Sequence, residues 1–253
     1  MTDTLLEAVQ VLARLAGDIA LGHYRTGLAV EAKQDGSPVT AADRDAERAA
    51  REWIAQRFPR DGILGEEYGA TDGSSGRRWL LDPIDGTKSF VRGVPLWGTL
   101  VAIAEGHEVL AGAAYFPAVG EIVAAAPGEG CWWNGRRAAV SAADSLATAT
   151  ALVTDDRTFA TSAWRDGWQV LADRTAVSRG WGDCFGYLLV ATGRAEIIVD
   201  PIINPWDAAC FLPIIEEAGG VFTDLARNRT AFGGHAIATN AALADTARAY
   251  FDA

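Results

Sequence analysis

Leu5, Val9, Leu12, Ala16, Ile19 and Ala20 recur at three- and four-residue spacing, so residues 3–24 are expected to form an amphipathic helix. A polar stretch follows, AKQDGSPVT at 32–40, where Asp35, Gly36 and Ser37 permit mobility, with closure over a ligand left open. Pro38 bars a helix before it, and Thr40 with Asp43 reads as a capping pair that opens a second helix. That helix runs through AADRDAERAAREWIAQRF and stops at Pro59. Short apolar runs come next: GILG, RWLLD, GTLVAIAEG, EVLAGAAYF and EIVAAA, with Gly106-His107 as a hairpin turn. They predict an antiparallel sheet covered by the two helices. From about residue 145 the strands TALVTD, AEIIVD and AIATN alternate with helical patterns at 161–173, 183–192, 206–218 and 240–251. That alternation predicts an α/β layer. The chain is expected to form two tightly packed subdomains, 1–144 and 145–253. Pro213 sits inside the third of these helical patterns, where a helix interior would lose roughly 3 kcal/mol. The helix is therefore expected to kink or to be shorter than its pattern.

Composition narrows the function. Of 253 residues, 49% are hydrophobic and 22% charged, an ordinary globular balance. A net charge of −11 argues against a nucleic-acid surface, which needs clustered Lys and Arg. It leaves room for a small anionic substrate if metal ions supply positive charge locally. Cys131, Cys184 and Cys210 have no CxxC spacing and read as small buried hydrophobes in a reducing compartment. The N-terminal stretch lacks a basic start and carries Glu7, Arg14 and Asp18, unlike a signal peptide, and no run is long enough to span a bilayer. A soluble, cytoplasmic protein with no membrane partner is expected. His23, His107 and His235 are scattered and read as surface or packing residues.

The stretch WLLDPIDGTKSF, residues 79–90, drives an apolar strand into two anions three residues apart. Asp82 and Asp85 are not alone at an element boundary. Asp43 lies in the first turn of the second helix, Glu66 closes GILGEE, and Asp207 follows Pro205-Trp206 at a helix start. Side chains at strand ends and helix starts can converge on one cleft. Four or five carboxylates facing one another without compensation are prohibitively repulsive. Hard divalent cations compensate them, and all-oxygen ligation favours Mg²⁺ over zinc. Pro83 and Gly86 turn the chain sharply, so Asp82 and Asp85 can both approach such ions while the Ile84 carbonyl turns inward. The DGT that follows offers backbone N–H groups suited to a phosphate. Any one of these acids alone is better explained as a cap or turn residue; the five together are not.

WLLDPIDGTKSF, together with PWDAA and the following EEAGG, resembles the inositol monophosphatase family of Mg²⁺-dependent, lithium-sensitive phosphatases. KQDGSPVTAAD, GEE, CWWNG and VATGRAE stand in the family's order, and the resemblance runs from Lys33 to Gly220. It implies an α/β (α+β multilayer) fold, an α-β-α-β-α sandwich with the metals between two subdomains, and commonly a homodimer. It also implies that Glu66, Asp82, the Ile84 carbonyl and Thr87 surround a first Mg²⁺, and that Asp82, Asp85 and Asp207 hold a second. Glu66 would touch a weaker third. Asp43 would pair with the Thr87 hydroxyl to orient and deprotonate the attacking water, and Asp85, Gly86, Thr87 and Asp207 would meet the substrate. The family reaction is direct in-line attack by water. Phosphate monoesters hydrolyse very slowly unaided, and two ions about 3.5–4 Å apart offset the charge on both sides of the displacement.

Which ester is cleaved falls to the C-terminal half. Asp200 stands seven residues before Asp207, where an inositol-type enzyme places an acid facing the sugar hydroxyls. A second acid, Asp183, appears in WGDCF; it is either a helix cap or, with Asp200, a negative rim for a cationic leaving group. DGTKSFVRGVP-L-W, WGDCFGYLLVATGRAE and DPIINPWDAA resemble the histidinol-phosphatase branch. Histidinol phosphate carries an ammonium group and a titratable imidazole, so two carboxylates suit it. The expected reaction is thus hydrolysis of L-histidinol phosphate, with inositol-1-phosphate or a broader sugar-phosphate activity as the alternative. Fructose-1,6-bisphosphatase ranks lower, since only Lys88 and Arg92 lie near the core motif to hold a second phosphate. A silent scaffold would not need all five acids and Thr87. One departure from the family is Ser89, where Asn is usual, which could loosen a turn hydrogen bond. Trp97 and Trp181 could wall the pocket, but core packing is the stronger reading for both.

Overall fold

The structure is a computed structural model that describes residues 4–27, 29–32 and 38–252. Lys33, Asp35, Gly36 and Ser37, on which closure of the 32–40 loop depends, lie outside the described residues. Helix α1 (Leu5–His23) opens with a capping box in which Thr4 and Glu7 bond each other's backbone N–H. A two-stranded ribbon, β1 (Glu31–Ala32) and β2 (Pro38–Val39), leads into α2 (Ala41–Arg57), where the Thr40–Asp43 box forms as the sequence predicts.

The first sheet has eight strands. In chain order these are β3 (Gly62–Gly65), β4 (Gly69–Thr71), β5 (Arg77–Asp85), β6 (Gly98–Glu105), β7 (Glu108–Phe116), β8 (Glu121–Ala126), β9 (Gly130–Trp133) and β10 (Arg136–Arg137). The one-turn helix α3 (Thr87–Phe90) interrupts them after β5. Their spatial order is β10-β9-β8-β7-β6-β5-β3-β4. The expected all-antiparallel sheet needs one correction. β3 and β5 run parallel, paired from Gly62 opposite Arg78 to Gly65 opposite Leu81. Strand β4 provides the return path between them, and it is too short and Gly-bounded to show in the pattern. The correction matters, because parallel neighbours bring their C-terminal ends to the same edge.

The second sheet is mixed. It comprises β11 (Thr150–Val153), β12 (Val177–Arg179), β13 (Ile197–Asp200), β14 (Gly220–Thr223) and β15 (Ala236–Asn240), ordered β12-β11-β13-β15-β14. Its helices are α4 (Arg165–Arg174), α5 (Cys184–Ala191), α6 (Pro205–Ala208), α7 (Phe211–Glu217) and α8 (Ala244–Arg248). The pattern at 206–218 is thus two helices, and the break falls at Ala209–Cys210 rather than at the proline. Proline clashes with the carbonyl four residues before it, here that of Ala209, while it is tolerated in the first turn of a new helix.

Period-two alternation sorts the strands between layers. Trp79 and Leu81 of β5, with Val101 and Ile103 of β6, pack under α1 and α2. Leu80, Leu100 and Ala102 point the other way, onto Leu188, Phe211, Leu212 and Ile215 of α5 and α7. Those two helices also meet Leu152, Ile198 and Ala238 of the second sheet, whose far face (Ala151, Val199, Ile237) packs with Leu171 of α4 and Ala247 of α8. Helices, sheet, helices, sheet, helices: the expected α-β-α-β-α sandwich.

The middle layer is tight where it carries Asp207. A Cβ added to Gly112 of β7 would lie 2.6 Å from Cys210 Cα and overlap the Cys210 carbonyl, all backbone at the α6–α7 break. Gly112→Ala should therefore cost about 1–3 kcal/mol by overpacking. Urea unfolding should show this as a lower midpoint, with activity falling beyond the loss of folded protein because the helix bearing Asp207 is displaced.

Candidate metal centre and substrate cleft

Asp82 and Asp85 have odd spacing, and in a regular strand they would face opposite sides of the sheet. The register shows why they do not. Asp82 opposes Leu100 but Asp85 opposes Gly98, so β5 carries an extra residue between them. Pro83, with no N–H to lose, sits in this bulge, and its carbonyl accepts the Thr99 hydroxyl at 2.7 Å. Asp82 turns back to accept the Ile84 N–H at 2.9 Å. Gly86 then takes φ 83, and α3 closes as Ser89 and Phe90 N–H both bond the Gly86 carbonyl. The Ser89 departure thus leaves the turn's backbone bonds in place. The first amides of α3 have no intrahelical acceptor.

The parallel β3–β5 pair brings Glu66 to the same edge, its N–H bonded to the Leu81 carbonyl at 3.1 Å. Asp207 arrives from α6, its Oδ2 accepting the Asn204 backbone N–H and side-chain amide at 3.1 Å each. Carboxylate oxygens of Asp82, Asp85 and Asp207 lie within 4.8 Å of one another. With Glu66, Ile84, Gly86, Thr87, Lys88, Asp183 and Asn204 they line a cleft of about 240 Å³. A side cavity of about 140 Å³ shares Asp85, Asp183 and Asp207 and continues to Tyr187, Asp200 and Ile202.

The electrostatics follow. Burial, then repulsion from Glu66, Asp85 and Asp207, holds the Asp82 carboxyl well above the usual range. Asp85 is raised by burial and by Asp183 and Asp207, against the Cys184 N–H that bonds its Oδ2. Asp207 is pushed to about 6 by burial and Glu66. Lys88 is the cationic side chain among the described lining residues. An all-oxygen set of this charge, Asp82 being 2% exposed, fits a hard divalent cation.

Asp43 is 1% exposed at the start of α2, its carboxyl raised mainly by burial and also by Glu66. The expected Asp43–Thr87 hydrogen bond is not made. Asp43 Oδ2 accepts both the N–H and the hydroxyl of Thr40, at 2.8 and 2.7 Å, and the Thr87 hydroxyl donates to the Ile84 carbonyl at 2.9 Å. A hydroxyl has one proton to give, and the inward-turned carbonyl takes it.

Asp183 precedes α5 with φ 49 and ψ −155, a region nearly closed to residues with a side chain and costing of order 1–3 kcal/mol. Its N–H bonds Thr154 Oγ1 at 2.8 Å, while its carboxylate makes no capping bond. It reaches toward Gly86, where an added Cβ would come within 3.4 Å of Asp183 Oδ2. Burial first and Asp200 second raise it to about 7, with Lys88 opposing. Asp200, expected to face the leaving group, is 4% exposed and has both oxygens engaged: Thr154 N–H at 3.2 Å and the Tyr187 hydroxyl at 2.9 Å. It is the base of a chain, Tyr187–Asp200–Thr154–Asp183, and lines the side cavity beneath Asp183. Parallel pairing of β11 with β13 sets Thr154 beside Asp200. The sequence reading missed Thr154, Tyr187 and Asn204. Only Asn204 left a signal, an Asn-Pro helix start three residues before Asp207.

The remaining expectations fare plainly. His23 pairs with Asp45, His107 stacks on Phe232, and His235 Nδ1 accepts the Leu225 N–H. All three cysteines are buried and free. Trp97 packs with Tyr24 and Phe90 in the core, whereas Trp181 is exposed. Among the described residues no helix is long and apolar enough to cross a membrane.

The chain is 40% identical over 238 residues to a histidinol-phosphatase of Chlorobaculum parvum, covering 94% of this chain and 92% of that one. It is 35% identical over 263 residues to a histidinol-phosphatase of Streptomyces coelicolor, covering 98% and 96%. A solved structure of an inositol monophosphatase from Zymomonas mobilis superposes with a TM-score of 0.86 at 29% identity, covering 97% of this chain and 96% of that one. The profile of the inositol monophosphatase family matches residues 1–251, and this chain belongs to that family.

Proposed function

We propose that this protein is a Mg²⁺-dependent phosphoric monoester hydrolase whose substrate is L-histidinol phosphate. The observation that carries the reaction class is the convergence of Asp82, Asp85 and Asp207 within 4.8 Å, beside Glu66. The observation that carries the substrate is Asp183, an uncapped carboxylate at the junction of cleft and side cavity with the Asp200 charge behind it. That pair of charges suits an ammonium or imidazolium better than a neutral polyol. The named histidinol-phosphatases, 35–40% identical over most of the chain, support the same reading.

In this reading Glu66, Asp82, the Ile84 carbonyl, Asp85 and Asp207 hold two or three Mg²⁺ ions, which supply Lewis-acid charge for the phosphoryl group and acidify water. The amides at the start of α3, from Gly86 and Thr87, receive the phosphoryl oxygens. Asp43 accepts the proton of the attacking water and Thr87 orients that water. The Thr87 proton, committed to the Ile84 carbonyl in this structure, is redirected by rotation about the Cβ–Oγ bond. Asp183 meets the cationic leaving group, and Asp200 holds Asp183 in place through Thr154. Residues 1–144 thus carry most of the metal site, and residues 145–253 carry Asp207 and leaving-group recognition. We place the protein in the cytoplasm as a homodimer.

A side-by-side assay with Mg²⁺ should show faster turnover of histidinol phosphate than of inositol-1-phosphate; equal or better turnover of the inositol ester removes the substrate assignment. Asp183→Asn should lower kcat/KM for histidinol phosphate on the order of tenfold, about 1.4 kcal/mol of lost attraction, with a smaller effect on a neutral ester. Asp85→Asn and Asp207→Asn should each cost more than the roughly 10–100-fold typical of changing an outer partner of a metal ligand.

Metal removal has a defined pH signature. Asp183 at about 7 and Asp207 at about 6 are raised above the unfolded carboxylate value, so the folded protein binds more protons in that window. Stability of the metal-free protein therefore falls as pH rises from about 4 to 7. Melting in EDTA should be lower at pH 7.5 than at pH 5. Mg²⁺ at 100 times its Kd should restore about 2.7 kcal/mol at pH 7.5; a melting curve indifferent to Mg²⁺ contradicts the metal reading.

A further inference from the structure

We infer that Glu47, a buried carboxylate on α2 outside the cleft lining, is a positioning residue that fixes the backbone of Glu66 and so sets the affinity of the cleft for its divalent cation. The inference rests on the reading of that cleft as a Mg²⁺ site.

Glu47 is 0% exposed, on the same face of α2 as Asp43 and Arg51, four residues from each. A carboxylate buried this deeply is costly unless its lone pairs are met. Three donors meet them. Glu47 Oε2 accepts the Glu67 N–H at 2.8 Å, and Oε1 accepts the Tyr68 N–H at 3.2 Å and Arg51 Nε at 2.8 Å. The two amides belong to the residues directly after Glu66, in the turn joining β3 to β4. Arg51 extends the clamp, bonding the Gly69 carbonyl and the Thr71 hydroxyl on the far side of the turn. Glu66 is thereby gripped from two sides: its own N–H by the Leu81 carbonyl of β5, and the next two N–H groups by Glu47.

The clamp opposes a definite force. Glu66 repels Asp43, Asp82 and Asp207, and repulsion in an empty cleft pushes a turn residue away from the rest. A turn of three residues between short strands has little of its own to resist with; α2, long and packed, lends its rigidity through Glu47. Gly65 belongs to the same device. A Cβ there would overlap the Glu47 carboxylate, so the strand leading into Glu66 approaches as closely as it does only with glycine. Such partners of metal ligands are typically worth 10–100-fold in metal affinity.

Glu47→Gln retains shape but loses the charge and turns an amide NH₂ toward donors. Isothermal titration of the folded, substrate-free protein with Mg²⁺ should show affinity reduced about 10-fold or more. In turnover assays the Mg²⁺ concentration for half-maximal rate should rise in step, while kcat at saturating Mg²⁺ falls far less. Gly65→Ala should reproduce the shift from the opposite side of the contact. If Glu47→Gln does not fold by circular dichroism, Arg51→Ala, at a partly exposed position, carries the reading, with a smaller loss in the same direction expected. Mg²⁺ affinity unchanged in the folded variants overturns the inference alone. Absence of Mg²⁺ binding by the wild-type protein overturns the metal reading with it.

Discussion

Like charges crowded into one cleft set the terms for everything around them. Asp82, Asp85 and Asp207 share a space under 5 Å across with Glu66 alongside; beyond burial, Glu66, Asp85 and Asp207 raise the Asp82 carboxyl, and Asp183 and Asp207 raise that of Asp85. Such a group relaxes in two ways, by taking up protons or by taking up cations, and the surrounding scaffold must be stiff enough to prevent a third, moving apart. The stiffness is visible in where the acids are attached. Two sit on a central strand, one on a turn held between a sheet and a helix, and one on a short helix wedged against Gly112. None depends on a long loop for its position.

The second half of the molecule repeats the plan at lower charge. Thr154 and Asp200 stand at the ends of adjacent parallel strands, and Asp183 is held above them by a single backbone bond. Here the anion is poised by a strained backbone instead of by a bulge. In both halves, parallel pairing delivers polar side chains to one edge of a sheet, and the two edges face each other across the cleft.

Much of this was legible in the residues. The long helices and the main strands follow from periodicities strong enough to survive without tertiary information, and the five-layer order from the resemblance to the family. The five acids announce themselves by standing at element boundaries. What could not be read was direction. Nothing in GILG or RWLLD distinguishes parallel from antiparallel pairing, because that depends on the path of β4, which is three residues long and carries almost no pattern. The bulge was hidden for a similar reason: Pro83 signals irregularity but not the count of residues opposite. Thr87 was assigned to Asp43 by resemblance, whereas the proton goes to a backbone carbonyl, an acceptor that every residue has and no sequence advertises. The distance of Asp200 from Asp207 carries no sign of its partners, the Thr154 N–H and the Tyr187 hydroxyl, which lie far off in the chain.

The bulge in β5 has one more implication. Up to Leu81 the strand obeys the alternation that buries its side chains correctly, and that part would tolerate many apolar exchanges. Beyond it, the aim of Asp85 is a matter of parity. Were β5 to pair residue for residue with β6, without the bulge, composition and charge would be unaltered, yet that carboxylate would swing through the sheet into the layer beneath α1 and α2. The aim of Asp85 is thus guarded by the one residue of β5 that has no counterpart on β6.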